Sequence, residues 1–98
     1  MTDPVNPLDT ARRRLRMRSM RRGIKEMDLI LTGWADRRLD GMDAEALAHY
    51  DALLEENDQQ LYRWVTGQDT PPDAFADLIA DIAAVTDDRA IDLRTGRI

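Results

Sequence analysis

The sequence predicts an all-α protein, a small single-domain five-helix bundle. Apolar residues recur three and four positions apart along most of the chain, whereas no useful length alternates apolar and polar residues as a strand would. Glycine, proline and Asx breaks divide the chain into five such stretches. A chain of 98 residues has room for one domain. We therefore expect a helical domain over residues 8–86, an N-terminal lead at 1–7 and a flexible tail at 87–98.

The first two helices meet at a glycine. A cap at Asp9 or Thr10 is predicted to open the first helix, which would end near Arg21. Gly23 is expected to take a left-handed conformation there, or to cap the next helix. With Gly23 as the cap, Glu26 falls at the third helical position and reaches back to the cap N–H. The core stripe of the second helix has spacings of 0, 3, 4 and 7: Met27, Ile30, Leu31 and Trp34.

Three further helices follow. Asp43 is predicted to cap the third, and the pair Asn57-Asp58 to break and recap the chain for a short fourth helix that Gly67 closes. Pro72 suits an early position of the fifth helix. The apolar stripes of these helices are Leu47, Tyr50 and Leu54; Leu61, Trp64 and Val65; and Phe75, Leu78, Ile79 and Ile82. Trp34 and Trp64 lie on such stripes and are interpreted as core residues.

Charge is distributed unevenly. The net charge is −5, but the chain up to Lys25 has eight basic and two acidic residues, and the remainder has six basic and seventeen acidic, giving +6 and −11. Like charges four apart, such as Arg14 and Arg18, destabilise a helix, so acidic neighbours should relieve them. Either the first helix docks on the chain's own acidic residues, or its arginines bind nucleic acid, where the −11 remainder would repel a duplex.

The sequence lacks the residues that several kinds of catalytic and metal-binding site require. The chain has no cysteine and one histidine, His49, so it offers neither a disulfide framework nor a convincing zinc or heme site. No glycine-rich phosphate loop, GxSxG elbow or HExxH motif is present, and pairs such as Glu55-Glu56 are typical of solvated helix ends. No uncharged stretch is long enough to span a bilayer. We therefore expect no enzyme and no membrane insertion.

The segment "RRGIKEMD" at residues 21–28 changes from arginine to carboxylate across one glycine. A turn that presents both charges between two helices is suited to bind a polar site on another protein. Within it, Arg22, Gly23 and Glu26 match the RGxxE motif of the succinate dehydrogenase assembly factors, also called flavinators. The later segment "LLEENDQQLYRWVTG" is similar to that family as well. The chain resembles the family over about residues 8–83.

The resemblance implies a five-helix bundle that binds the flavoprotein subunit of succinate dehydrogenase and, in some bacteria, the related fumarate reductase subunit. Such a factor promotes covalent attachment of the partner's FAD to a histidine of that subunit, as a chaperone without catalytic residues or a permanently bound cofactor. The implied partner-binding residues are Arg22, Gly23 and Glu26, with Arg21 and Asp28 as extensions. The chain departs from the commoner family pattern at Met27 and in its arginine-dense first helix.

Roles for the motif follow as hypotheses. Arg22 would pair with a partner carboxylate or polar loop, Gly23 would let the backbone approach closely, and Glu26 would orient Arg22 or accept a partner donor. A cytoplasmic location is expected, because mitochondrial members carry a leader and the first helix here should begin near residue 8. Two alternatives stay open. They are an antitoxin-like regulator, a role also described for members of this family, and a nucleic-acid-binding module that uses the arginine-rich helix.

Overall fold

Five α-helices form the protein in a computed structural model that describes the backbone of residues 7–95 and the side chains of residues 7–86. The helices are α1 (Pro7–Ser19), α2 (Lys25–Arg38), α3 (Ala44–Leu53), α4 (Asp58–Val65) and α5 (Asp73–Thr95), with a 3₁₀ helix at Leu39–Gly41. No strand occurs among these residues, so the predicted all-α class is confirmed. None of the described helices combines the length and apolar character needed to cross a bilayer.

The predicted ends of α1 are wrong by a few residues. The described part of the helix starts at Pro7, so Asp9 and Thr10 lie within the helix instead of capping it. At the other end it stops at Ser19. The N–H of Met20 still bonds the carbonyls of Arg16 and Met17, which carries the helical turn one residue further.

The predicted capping role of Gly23 is also wrong. Ile24 occupies the cap position of α2 with an extended backbone, φ −127° and ψ 143°, and makes no side-chain cap hydrogen bond. Glu26 is consequently the second residue of the helix, so the predicted capping box does not form. Among the glycines of the described chain, Gly67 is the one with a positive φ, 82°, where it follows α4 as predicted.

The caps of the next two helices are as predicted. The Asp43 carboxylate accepts a hydrogen bond from the N–H of Ala46 at 2.8 Å, and the Asn57 side chain accepts one from the N–H of Gln60 at 2.8 Å. Asp58 is therefore the first residue of α4, and its carboxylate is not occupied by capping. The consequence is that this carboxylate can bond to another part of the chain.

Helix α2 lies against α1, α4 and α5, and α3 closes the bundle against α1. The predicted stripes supply most of the core, including both tryptophans, whereas Ile30, Phe75 and Leu78 are only partly buried. At its centre the rings of Trp34 and Tyr50 are 4.6 Å apart, and the Tyr50 hydroxyl lies 2.5 Å from the buried Ser19 hydroxyl. Burial raises the pKa of Tyr50 to about 12.

The flexible tail expected at residues 87–98 falls on the C-terminal part of α5 and the residues after it. The backbone of α5 is helical through Thr95, whereas the sequence shows no apolar stripe beyond Thr86. The side chains of residues 87–95, and residues 96–98 entirely, lie outside the described part of the chain.

Candidate partner-binding site

Arg22 is bound within its own chain. Its Nε donates to Asp58 Oδ1 at 2.5 Å, while Nη1 and Nη2 donate to the carbonyls of Leu54 at 3.0 Å and Glu56 at 2.9 Å. The Arg22 and Asp58 side chains are 10% and 14% exposed, so the pair is largely shielded from water. The carboxylate expected from a partner is thus supplied by α4. Asp58, not Glu26, is the residue that orients Arg22.

Gly23 is in close contact with the same carboxylate. Its N–H donates to Asp58 Oδ2, and a Cβ built on Gly23 would lie 2.7 Å from that oxygen. Real Cβ contacts are essentially never this short. The residue is therefore a glycine because the chain's own α4 approaches it, which is a different reason from the expected approach of a partner. One carboxylate holds two consecutive motif residues; we call Arg22, Gly23 and Asp58 the clamp.

Asp28 supports the clamp from α2. Its Oδ1 accepts a hydrogen bond from the backbone N–H of Arg22 at 2.5 Å, which ties the α1–α2 turn to the first turn of α2. The side chain is partly buried. Asp28 therefore acts on the conformation of the turn, since its carboxylate oxygen bonds to main chain six residues earlier.

Arg21 and Glu26 are the predicted site residues that point to solvent. Both are exposed, and neither side chain forms a hydrogen bond or ion pair with the described residues. In the sequence they stand on either side of the clamp residues Arg22 and Gly23. Arg21 lines a cleft of about 430 Å³ beside α1, and Glu26 lines a groove of about 800 Å³ formed by α2, α4, the segment after α4, and α5.

The groove beside Glu26 is mainly apolar. Glu26 is the one charged residue among its described lining, and Leu29, at 49% exposed, extends from α2 beside it. On the opposite wall, α5 contributes Ala76, Ala80 and Ala83, whose small side chains leave the space open. The site therefore combines a carboxylate at the end of a turn with an adjoining apolar depression.

The arginines of α1 bind the acidic residues of the chain itself. Arg14 pairs with Asp51 at 2.9 Å, Arg18 with Asp51 and with Glu55 at 2.8 Å, and Arg16 with Asp36 at 2.6 Å. Such partly exposed pairs contribute about 0–1 kcal/mol each. The hydrogen bond from Arg14 is the main cause that lowers the pKa of Asp51 below its ordinary value. The predicted docking of α1 on its acidic neighbours is thus confirmed.

His49, the one histidine of the chain, has contacts that join two helices. His49 Nε2 lies 2.5 Å from the carbonyl oxygen of Ala74, and its ring stacks on Phe75 at 5.3 Å, so this histidine joins α3 to α5. No group of three or more metal-ligating side chains occurs in the described part of the chain.

Asp58 is the site residue that sequence reasoning missed. Its position beside Asn57 was interpreted as a helix start, which is correct. Its contact with Gly23 spans 35 residues. No local pattern in the sequence pointed to this contact, because the glycine already had a local interpretation as a helix stop or cap.

Comparison with known proteins places the chain in a family. The family model described as "Flavinator of succinate dehydrogenase" matches residues 13–86. A Saccharomyces cerevisiae protein named "Succinate dehydrogenase assembly factor 2, mitochondrial" is 48% identical over 60 residues, 61% of this chain and 37% of the relative. The protein of that name from Penicillium rubens is 47% identical over 64 residues, 65% of this chain and 20% of the relative. "Succinate dehydrogenase assembly factor 2-A, mitochondrial" from Drosophila mojavensis is 38% identical over 79 residues, 78% of this chain and 50% of the relative.

The cytoplasmic location expected from the sequence is contradicted by these relatives. All three carry the word mitochondrial in their names. The expectation rested on the short lead before the first helix, but this chain spans half or less of the length of each relative, so the lead says nothing about location.

The matched region contains the clamp together with Arg21 and Glu26. It extends from the middle of α1 to the last residue whose side chain the structure describes. It covers about three-quarters of the sequence. The chain therefore belongs to the family of succinate dehydrogenase flavinators.

Proposed function

We propose that this protein binds the flavoprotein subunit of succinate dehydrogenase and promotes covalent attachment of FAD to that subunit, acting as an assembly factor without catalysing the reaction itself. The observation that carries the proposal is the match of residues 13–86 to the flavinators, because those residues include the complete RGxxE corner. The names of the relatives, which are succinate dehydrogenase assembly factors, agree with it. The fumarate reductase flavoprotein is a second partner to test.

The corner is suited to binding because it is already ordered. Asp58 fixes Arg22 and Gly23, and Asp28 fixes the main chain between the helices. Ordering a residue's backbone costs about 1–2 kcal/mol, so a turn that is ordered before binding avoids this cost in the complex. We assign Arg22, Gly23 and Asp28 to the shape of the surface, and Arg21 and Glu26 to direct contact with the partner.

The mechanism is that of a conformational chaperone. The bond forms between a histidine and a flavin that both belong to the partner, so the factor's task is to favour the partner conformer in which they are aligned. Binding that conformer more tightly than others raises its population by the ratio of the affinities. A tenfold increase requires about 1.4 kcal/mol of differential affinity, which a few polar contacts at Arg21 and Glu26 can supply.

The test is covalent flavin in the denatured flavoprotein subunit, measured by in-gel fluorescence after co-expression. We expect a band with the wild type, a reduced band with Glu26→Ala, and none with Gly23→Arg, whose side chain has no space beside Asp58. Arg63→Glu, which alters an exposed residue of α4, is the control and should retain the band. Circular dichroism of each variant checks that the helices are intact. A band that is equal with and without the wild-type factor would refute the proposal.

The purified factor is proposed to hold no cofactor of its own. We expect no flavin absorbance in the isolated protein, with absorbance appearing only in the complex with the flavoprotein subunit. A stoichiometric flavin that co-purifies with the isolated factor would contradict this part of the proposal.

A further inference from the structure

The outer face of α1 exposes large apolar side chains close to the RGxxE motif. Met17 and Met20 are 43% and 50% exposed, and with Leu29 they are the large apolar side chains that the described part of the chain leaves exposed. All three lie within a few residues of the RGxxE motif. Exposed apolar groups that cluster beside one surface feature are typical of an interaction site.

Two exposed arginines accompany these methionines. Residues 13, 17 and 20 follow the spacing i, i+4 and i+7, which places Arg13, Met17 and Met20 on one face, and Arg21 comes next. The exposed side chains of Arg13 and Arg21 make no ion pair or side-chain hydrogen bond with any described residue. We call Arg13, Met17, Met20 and Arg21 the outer stripe.

The other arginines beside the stripe are neutralised. The cleft that Met17 and Arg21 line also contains Arg14, Arg18 and Arg22. These three pair with Asp51, Glu55 and Asp58 of the chain itself. The positive charge left for a partner is therefore at Arg21 within the cleft and at Arg13 one helical turn before Met17.

We propose that the outer stripe binds an acidic segment of the flavoprotein subunit, with aspartate or glutamate side chains on Arg13 and Arg21 and an apolar side chain between Met17 and Met20. The identity of the partner rests on the proposed function; the chemistry of the segment rests on the stripe. Arginine binds carboxylates through two parallel hydrogen bonds, and methionine adapts its shape to an apolar partner. Arg21 joins the stripe to the RGxxE corner, so the two form one continuous surface.

The flanks of the stripe favour a protein segment over a lipid surface. Asp51 and Glu55, 31% and 72% exposed, lie beside the stripe in ion pairs with Arg14 and Arg18. A flat anionic membrane would meet these carboxylates together with the stripe. Arg13 and Arg21, which form no ion pair with the described residues, supply only about 1 kcal/mol each near such a surface. A narrow acidic segment can contact the stripe and avoid them.

The experiment measures binding of the recombinant flavoprotein subunit to the full chain by calorimetry at two salt concentrations. Two test variants are Arg13→Glu/Arg21→Glu and Met17→Ser/Met20→Ser. Arg63→Glu, which reverses the charge of an exposed arginine on α4 that has no side-chain partner among the described residues, is the control. We expect each test variant to weaken binding by about tenfold or more, the charge variant to lose much of the salt dependence, and the control to change by less than about twofold. Unchanged helical circular dichroism shows that folding is retained.

Other results separate the alternatives. If the wild type binds and both test variants bind equally well, the outer stripe is overturned while the proposed function stands. If the wild type does not bind the flavoprotein subunit, the proposed function fails with it. Sedimentation with vesicles of one part anionic to three parts zwitterionic phospholipid, lost in the charge variant while flavoprotein binding is unchanged, would assign the stripe to lipid. Wild-type dimers that the variants dissociate, again with flavoprotein binding unchanged, would assign it to a second copy of the chain.

Discussion

Replacing Gly23 with alanine tests the clamp through the sign of a stability change. Gly23 does not have a positive φ, so alanine fits the backbone there. Alanine should stabilise the fold by about 0.4–1 kcal/mol, because it lowers the conformational entropy of the unfolded chain. Against this, the new Cβ would lie 2.7 Å from Asp58 Oδ2. The carboxylate must then move away from the Gly23 N–H, with loss of a charge-assisted hydrogen bond of about 1.5–3 kcal/mol and disturbance of Arg22. We expect a net destabilisation of about 1–2 kcal/mol.

The assay is urea unfolding followed by circular dichroism and by the fluorescence of the two buried tryptophans. The same substitution is then made in an Asp58→Ala background, where the obstructing oxygen is absent. There, Gly23→Ala should be neutral or stabilising, which gives a coupling free energy of about 2 kcal/mol between the two positions. Equal effects of Gly23→Ala in both backgrounds would refute the account of why this residue is a glycine.

Three further changes test Arg22 and two ionisable groups elsewhere in the fold. Arg22→Lys should destabilise by about 1–3 kcal/mol in urea unfolding, because one ammonium cannot reach Asp58 and the carbonyls of Leu54 and Glu56 together. Because the folded pKa of Tyr50 is raised from 10.0 to about 12, stability should be complete below pH 10 and fall between pH 10 and 12. Tyr50→Phe should flatten that fall, and an equally steep fall would show another group is responsible. Because the folded pKa of Asp51 lies below its ordinary value of 3.8, the ionised carboxylate stabilises the fold above that pH. This stabilisation is lost as the pH falls through the folded pKa, so Asp51→Asn should reduce the acid sensitivity of thermal unfolding.

The local parts of this fold were predictable from the sequence. Apolar spacing is set by one helix at a time, so the stripes of α2 and α4 could be assigned without knowing what covers them. The caps Asp43 and Asn57 are also local, because each bonds an N–H three residues later. Repulsion along α1 predicted acidic partners, and Asp51 is one of them.

The candidate site was less predictable, because its geometry depends on contacts between distant residues. The motif was found by its resemblance to a family, but its glycine was given a local role in capping. The carboxylate that explains it is 35 residues further along, at the start of α4. No periodicity or propensity connects Gly23 with Asp58. The same limitation applies to Arg22, whose charge indicated a contact with a partner although its guanidinium is largely buried against α4.

The clamp also has a genetic consequence. Because the α1–α2 turn takes its shape from the first residue of α4, damage to that shape can arise from alleles that leave the RGxxE letters intact. A screen for loss of flavin attachment should recover substitutions at Asp58 alongside those in the motif. A synthetic peptide of residues 21–28, which lacks α4, should compete poorly with the whole protein for the partner. The clamp is therefore discontinuous in sequence, and the five-letter RGxxE signature leaves out Asp58, which bonds two of its residues.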